Sequence, residues 1–474
     1  MNYQVELFQS LLNNFLKGEE ALMTIEGDVL AVRGSAPVSY GTLTTAATTV
    51  SKYLKLQEGD IALLNDPYSG GSLLSEMTFV MAVSEDLLWV VRRSLGHTVK
   101  FAKSVEEEGL RIPPMPLRQK GVINEMILSA MQAHPACPAN FVQWLKDQVQ
   151  DLAFQAKKLH EAIEYTGFTI TGELIEEYLK LCKRFATQRI SERASGETRV
   201  DVVLDSGELL RLNMEIQDGK ISLDFGGTTS AKTVSLTESA TYGVCFHTLS
   251  KFYGFEHIAS SGSFGILQIT KPAGCWLIGK YPAPTYKGMT CGVAALKTAI
   301  ELALAQIHQK HEVSVTSHCA LNFDLQYQDK HTHLTLPGGF GATGDNEGES
   351  ARLSGVSVEQ LERDFPVKVL RVDARNSSGG KGKYNGGRGL IMKLQARDEF
   401  QAAWMTDLTL HRPRLPKNCS YGDTCEVSLE QAGEQKALPV LGQQKFKKGD
   451  ILSLCSGSGG GFGKEKILEK NIEQ

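Results

Sequence analysis

The chain of 474 residues lacks an excess of either charge: 50 Lys+Arg stand against 54 Asp+Glu, a formal balance of −4. A nucleic-acid or polyanion binder carries a basic excess, so that class is excluded. No window approaches 18 uninterrupted apolar residues, and none is expected to span a membrane. The start, Met1-Asn2-Tyr3-Gln4-Val5-Glu6, has neither the basic end nor the apolar stretch of a signal peptide. Nine cysteines, an odd number without a Cys-x-x-Cys pair, exclude a disulfide framework and a structural zinc site. The expectation is a reduced, cytoplasmic protein.

Several catalytic signatures are also missing. The closest approach to a phosphate-binding Gly-x-x-x-x-Gly-Lys-Ser/Thr loop ends Gly463-Lys464-Glu465, with Ser458 at the first glycine position and no hydroxyl after the lysine. No Gly-x-Ser-x-Gly elbow presents a serine nucleophile. His311-Glu312 begins like a zinc-protease helix, but position 315 is valine.

What is present is a globular balance of 42% apolar and 22% charged residues, rich in glycine at 46 of 474. Apolar spacing predicts helices over 5–17 (Leu7, Leu11 and Phe15, with Phe8, Leu12 and Leu16 beside them), 141–165, about 172–190 and 293–311. A hairpin is expected from Thr24 to Val32. A second joins 209–216 to 221–225 through Asp218-Gly219, where both turn residues need positive φ. Strand patterns also cover 200–204, and short strands with glycine-rich loops follow 312 to the end. The fold class is α+β and multi-lobed, with strand-rich lobes and a central helix pair near 140–190. Lobes over 1–190, 191–340 and 341–474 are expected from composition.

Three loops carry candidate chemistry. Asn65-Asp66-Pro67-Tyr68-Ser69-Gly70-Gly71 can present a carboxylate and a phenol beside backbone amides, or be a turn between strands. The stretch from Ser377 through Ser378, Gly379, Gly380, Lys381, Gly382 and Lys383 to Gly389 joins glycines to cations, which suits an anion nest or a tight structural turn. Ser456–Gly463 is the third, with a flexible crossing as its alternative. His331 and His333 share a strand face and His308 and His311 a helix face. With no paired carboxylate nearby in sequence, both pairs read as exposed polar residues rather than metal ligands.

These loops resemble the hydantoinase B/oxoprolinase family. The matching motifs are Asn65-Asp66-Pro67-Tyr68-x-Gly70-Gly71, Glu107-Glu108-Gly109-Leu110-Arg111-Ile112-Pro113-Pro114, Asp151-Leu152-Ala153-x-Gln155 and Asp224-Phe225-x-Gly227-Thr228. Pro282-Ala283-Pro284, Glu359-x-x-Glu362 with Pro366, the Ser378–Gly389 stretch and Gly459-Gly460-Gly461-Phe462-Gly463 follow in family order, within a region of 1–465. The resemblance implies a subunit of an ATP-dependent hydrolase of hydantoin- or oxoproline-like rings. Nucleotide and magnesium would sit on a hydantoinase A-type partner, in a hetero-oligomer; family carboxylases add a divalent metal.

The resemblance breaks at histidines and aspartates. Where the family reads Thr-His-Leu-Pro-Asp, this chain has Ser72-Leu73-Leu74-Ser75-Glu76. Arg-Ala-His-His-Ala-Asp aligns with Arg93-Ser94-Leu95-Gly96-His97-Thr98, and Pro-x-His-x-Gly with Pro37-Val38-Ser39-Tyr40-Gly41. Leucine cannot ligate a metal. The expectation is either a retained fold without the metal chemistry, or a rebuilt site in which Glu76, His97 and Asp66 hold another ion. The candidate catalytic residues are Asp66, Tyr68, Glu76 and His97. The candidate substrate- or anion-binding residues are Asn65, Gly70, Gly71, Arg111, Ser378, Gly379, Gly380, Lys381 and Lys383.

Overall fold

The computed structural model describes residues 3–96, 98–165, 170–308, 320–353 and 357–463. Helix α1 (Tyr3–Phe15) buries Val5, Phe8, Leu11 and Leu12, so its apolar stripe faces the core as its spacing requires. The first expected hairpin is β1 (Glu20–Thr24) with β2 (Val29–Arg33). After α2 (Ser39–Tyr53) come β3 (Ile61–Leu64), β4 (Glu76–Ala82), β5 (Leu87–Ser94), β6 (Met115–Gln119) and β7 (Val122–Ile123). The seven strands form one antiparallel sheet in the order β2-β1-β5-β4-β3-β6-β7.

The central strands are buried almost end to end, because helices cover both faces. On one face Phe15 of α1 meets Trp89 edge-on at 5.3 Å. Trp144 of α4 (Phe141–Tyr165), which follows α3 (Glu125–Gln132), lies 6.2 Å from Phe79 on that same face. On the other face α2 packs directly on the sheet. Helix α5 (Gly172–Ser191) follows α4, as its spacing predicts, and packs on α1 and later helices.

Strands β8 (Gly196–Val203), β9 (Leu209–Gln217) and β10 (Lys220–Asp224) are antiparallel, and Asp218 and Gly219 turn the hairpin at φ 51° and 71°. Beyond α6 (Glu238–Tyr253) and α7 (Ser261–Phe264), β11 (Leu267–Thr270) joins β10 in parallel. Helix α8 (Val293–Ile307) packs on α6, β8 and β9. Helices α2, α6 and α8 thus fill the space between the two sheets. With its preceding turn, α8 is long and apolar enough to cross a membrane, yet most of it is buried in this core. Of its expected extension to 311, residues 309–311 lie outside the described residues.

A second core lies between two further sheets. One runs β13 (Lys330–Leu336), β12 (Leu321–Tyr327), β16 (Phe400–Met405), β20 (Leu441–Phe446). The other runs β14 (Val367–Ala374), β15 (Leu390–Ala396), β21 (Ile451–Cys455), β18 (Glu426–Gln431), β19 (Glu434–Leu438), while β17 (Cys419–Ser420) pairs with β22 (Gly461–Phe462). Helix α9 (Val358–Asp364), absent from the sequence reading of this region, closes one end through Leu361. Met405 and Leu408 reach back into the first core, and the buried Lys287–Asp407 ion pair at 3.1 Å fastens the junction.

Gly70 and Gly27 have similar backbones, φ 101° and 106°, but different surroundings. A Cβ at Gly70 would lie 2.2 Å from the Ala46 amide of α2, whereas nothing lies within 4 Å at Gly27. Gly70→Ala is therefore expected to cost about 2 kcal/mol more than Gly27→Ala, the excess coming from overpacking. Urea unfolding of the two variants checks this; equal losses would show that backbone conformation alone requires Gly70.

Candidate functional site

The loop after β3 is organised by Asn65, whose side chain is fully buried. Its amide donates to the carbonyls of Leu74 at 2.7 Å and Leu110 at 2.8 Å, and its carbonyl accepts from the Ile112 amide at 2.6 Å. One side chain thereby ties together two motifs forty residues apart in the chain. Asp66 starts the turn Pro67–Ser69, accepting from the Tyr68 amide and from Ser69 Oγ at 2.7 Å, and it pairs with Arg111 at 3.4 Å. Tyr68 donates its hydroxyl to the Ala283 carbonyl, so a third motif docks here. Burial, then the charges of Glu108 and Asp66, push the Tyr68 phenol well above its ordinary pKa. Arg111 also bonds Glu106 and lies 4.9 Å from the ring centre of Tyr281. The structure brings Asn65, Asp66, Tyr68, Gly70, Gly71 and Arg111 together as the framework of a wall.

None of these six lines the neighbouring cavity of about 600 Å³; Asn65 holds the Leu74 and Leu110 segments that do. Leu73, Met77 and Phe141 give it an apolar side, while Lys100, Glu108, Tyr286 and His333 give it polar groups. Glu108, only 6% exposed, accepts from the amides of Thr285 and Tyr286, each at 2.7 Å, and from Thr285 Oγ1 at 2.9 Å. Burial raises its pKa against the pull of those donors and of Lys100.

The far side of the cavity comes from the second core. Asp324 of β12 stands directly across from His333 of β13. His333 Nδ1 lies 2.6 Å from Asp324 Oδ1, His331 Nε2 lies 3.4 Å from Oδ2, and the Val99 amide donates to the same carboxylate. Burial would raise the Asp324 pKa; the hydrogen bonds from the two imidazoles and Val99 outweigh it and hold it below the ordinary value. The reading of His331 and His333 as exposed polar residues is corrected for His333, which is half-buried. The carboxylate it meets sits nine positions upstream, and only strand pairing brings the two face to face. The same reading is corrected for His308, which is buried and shares a hydrogen bond with Tyr253 at 2.9 Å; His311 lies outside the described residues.

Glu76 begins β4 and accepts from Ser72 Oγ. Its charge faces Arg92 of β5, which is 4% exposed and donates to Ser39 Oγ at 3.0 Å and Thr42 Oγ1 at 2.6 Å. Burial pulls the Arg92 pKa down and the charges of Glu76 and Glu19 oppose that pull. These residues do not fit the divalent metal that the family carboxylases imply. Leu73 offers no ligand atom, the Ser39 and Thr42 hydroxyls accept from the Arg92 guanidinium, and the Glu76 carboxylate accepts from Ser72. Among the described residues, no three His, Cys, Asp or Glu side chains form a metal-binding group. His97 lies outside the described residues.

Ser378, Gly379, Gly380, Lys381 and Lys383 lie elsewhere, and none lines the cavity. The 377–389 and 456–463 stretches pack backbone to backbone with a further glycine-containing segment at 338–341: a Cβ at Gly386 would lie 1.9 Å from the Gly459 carbonyl, and one at Gly459 would lie 1.8 Å from that of Phe340. The amides of Gly380 and Gly387 donate to Gly459 and Phe340, and the Gly389 amide to the hydroxyls of Ser378 and Ser458. Lys381 and Lys383 are exposed, the latter over the Tyr384 ring. Sequence reading passed over Glu108, Arg92, Asp324 and Lys100. Glu108 lay inside a motif already singled out; for the others no local signal exists.

A carboxylate with a depressed pKa contributes stability that is present above about pH 4 and lost as pH falls through its folded value. Asp324→Asn is therefore expected to cost about 2 kcal/mol near neutral pH. The deficit should shrink once wild-type Asp324 is itself protonated. Denaturant unfolding across this range checks it; a deficit independent of pH would show that Asp324 acts through packing alone.

Comparison with known proteins bears on this geometry. The family model for hydantoinase B/oxoprolinase matches residues 13–465. The 5-oxoprolinase 1 of Arabidopsis thaliana is 23% identical over 506 residues, covering 94% of this chain; the chain spans 38% of that relative. A protein of a Pseudomonas species, named for the B component of a D-/L-hydantoinase, is 23% identical over 468 residues, covering 88% of this chain and 78% of its own length. Among solved structures, nucleotide-free acetone carboxylase superposes with a TM-score of 0.80 at 14% identity, covering 97% of this chain and 73% of that one. The ATP-dependent caprolactamase of Pseudomonas jessenii gives 0.77 at 17%, covering 97% and 89%. With the family model matched over residues 13–465, almost end to end, the chain belongs to the hydantoinase B/oxoprolinase family.

Proposed function

We propose that this chain is the B-type subunit of an ATP-dependent, cytoplasmic enzyme acting on a small cyclic amide or carbonyl compound. It works with a hydantoinase A-type partner that holds ATP and magnesium. The observation that carries the reading is the cavity of about 600 Å³, lined by Glu108, Gly109 and Leu110 of one family motif together with Leu73, Tyr286 and His333, the last paired with Asp324. In this reading the apolar side, Leu73, Met77 and Phe141, receives the ring and excludes water. Lys100 attracts the carbonyl oxygen. Asp324 orients His333, which moves a proton at its imidazole during ring opening. Asp66, Tyr68 and Arg111 hold the wall in place, and Glu76 anchors the loop 72–76.

A second reading rests on Leu73 and Ser39 standing where the family has histidine: a binding or regulatory subunit without turnover of its own. One experiment separates the two. The chain is mixed with its A-type partner, ATP and a panel of hydantoins, 5-oxoproline and lactams, while complex formation is followed by size exclusion. Ring opening coupled to ADP release is expected, with His333→Gln lowering kcat about 100-fold at little change in KM. A complex without turnover of any ring selects the regulatory reading, and failure to associate removes both.

A further inference from the structure

Arg92 sits on the face of the first sheet that α2 covers, with its guanidinium wholly inside the protein. Two hydroxyls of one helix bond it, and the charges of Glu76 and Glu19 act on it. Ser39 and Thr42 of α2 accept from its two terminal nitrogens. Ser39 Oγ also donates to the Glu19 carboxylate, whose other oxygen accepts from the Ser35 and Ala36 amides at 2.7 and 3.0 Å. Glu76 supplies the second charge, with its own carboxylate held by Ser72.

A guanidinium stays charged in proteins and is tolerated in an interior only when paired. Two carboxylates with two hydroxyls also make the oxygen-rich surrounding that a hard divalent cation takes. Positions 39 and 76 are two of those where the chain differs from the histidine and aspartate that the resemblance implies; Ser39 bonds Arg92, and Glu76 shares its sheet face, two residues along β4 from Thr78, the strand partner of Arg92. We infer that Arg92 is a resident cation: it fills an oxygen-lined cation site, holds the loop 72–76 that walls the cavity, and makes that loop independent of bound metal. Arg92 is a positioning residue in this scheme. The inference stands apart from the proposed activity, since a turnover-free subunit would need the same loop.

The test uses the full chain and thermal unfolding. Purified, untagged wild type is expected to carry no stoichiometric metal, and its Tm should not move with EDTA or with excess Mn²⁺ or Zn²⁺. Arg92→Met leaves two carboxylates without their cation and should melt roughly 6 °C or more lower. Excess Mn²⁺ or Zn²⁺ should then raise its Tm. Adding Glu76→Gln to Arg92→Met should recover part of the loss and abolish the cation response. If Arg92→Met does not fold alone, its refolding yield with and without the cation reads the same effect, and Arg92→Lys, which keeps the charge, should fold without metal. Stoichiometric metal in wild type that is lost in Glu76→Gln would overturn the inference. So would an Arg92→Met variant indifferent to either cation.

Discussion

The buried amide of Asn65 is the contact on which the cavity depends. Its donors and acceptor all bond backbone, to Leu74 on one side and to Leu110 and Ile112 on the other. An unpaired amide in that position would forfeit its hydration with nothing in return, so the two segments must lie at one separation to satisfy it. That separation sets where Leu73 and Glu108 stand on the cavity wall. The Pro282–Tyr286 segment then follows, because Tyr68 and Glu108 both bond its backbone. Three stretches remote in sequence are locked by buried polar groups whose geometry is less forgiving than apolar packing.

Each buried charge around the cavity is compensated differently. Glu108 is held by neutral donors, and burial leaves its pKa high. Asp324 is held by two imidazoles and an amide, and its pKa is low. Arg92 is held by hydroxyls and facing carboxylates. Removing one partner from such a set costs more than the pair contributes, because the remaining charge is left in a medium of low dielectric. Two polar sets result: Ser39 and Thr42 bond Arg92 while Ser72 bonds Glu76, and Asp324 is bonded by His333 and the Val99 amide.

Much of the fold was legible in the residues themselves. The 141–165 helix, the 172–190 helix and the Asp218-Gly219 hairpin were readable because each rests on local rules, a period of 3.6 or a turn needing positive φ. The 65–71 loop was readable as a site framework because its residues bond one another. The glycine-rich stretches were readable as special backbone but not as to purpose. Whether such a loop faces a ligand or another loop depends on what lies opposite, and here Gly386 meets Gly459, which meets Phe340.

Composition and local pattern determined by themselves that this chain is mixed α and β and carries no Gly-x-x-x-x-Gly-Lys-Ser/Thr motif. Tertiary structure alone decided which charges meet. Asp324 finds His333 through strand register, and Arg92 finds Ser39 and Thr42 through a helix laid across a sheet. Neither pairing has a periodic or spacing signature. Coulomb and hydrogen-bond energies fall off within a few ångströms in space and take no account of separation along the chain.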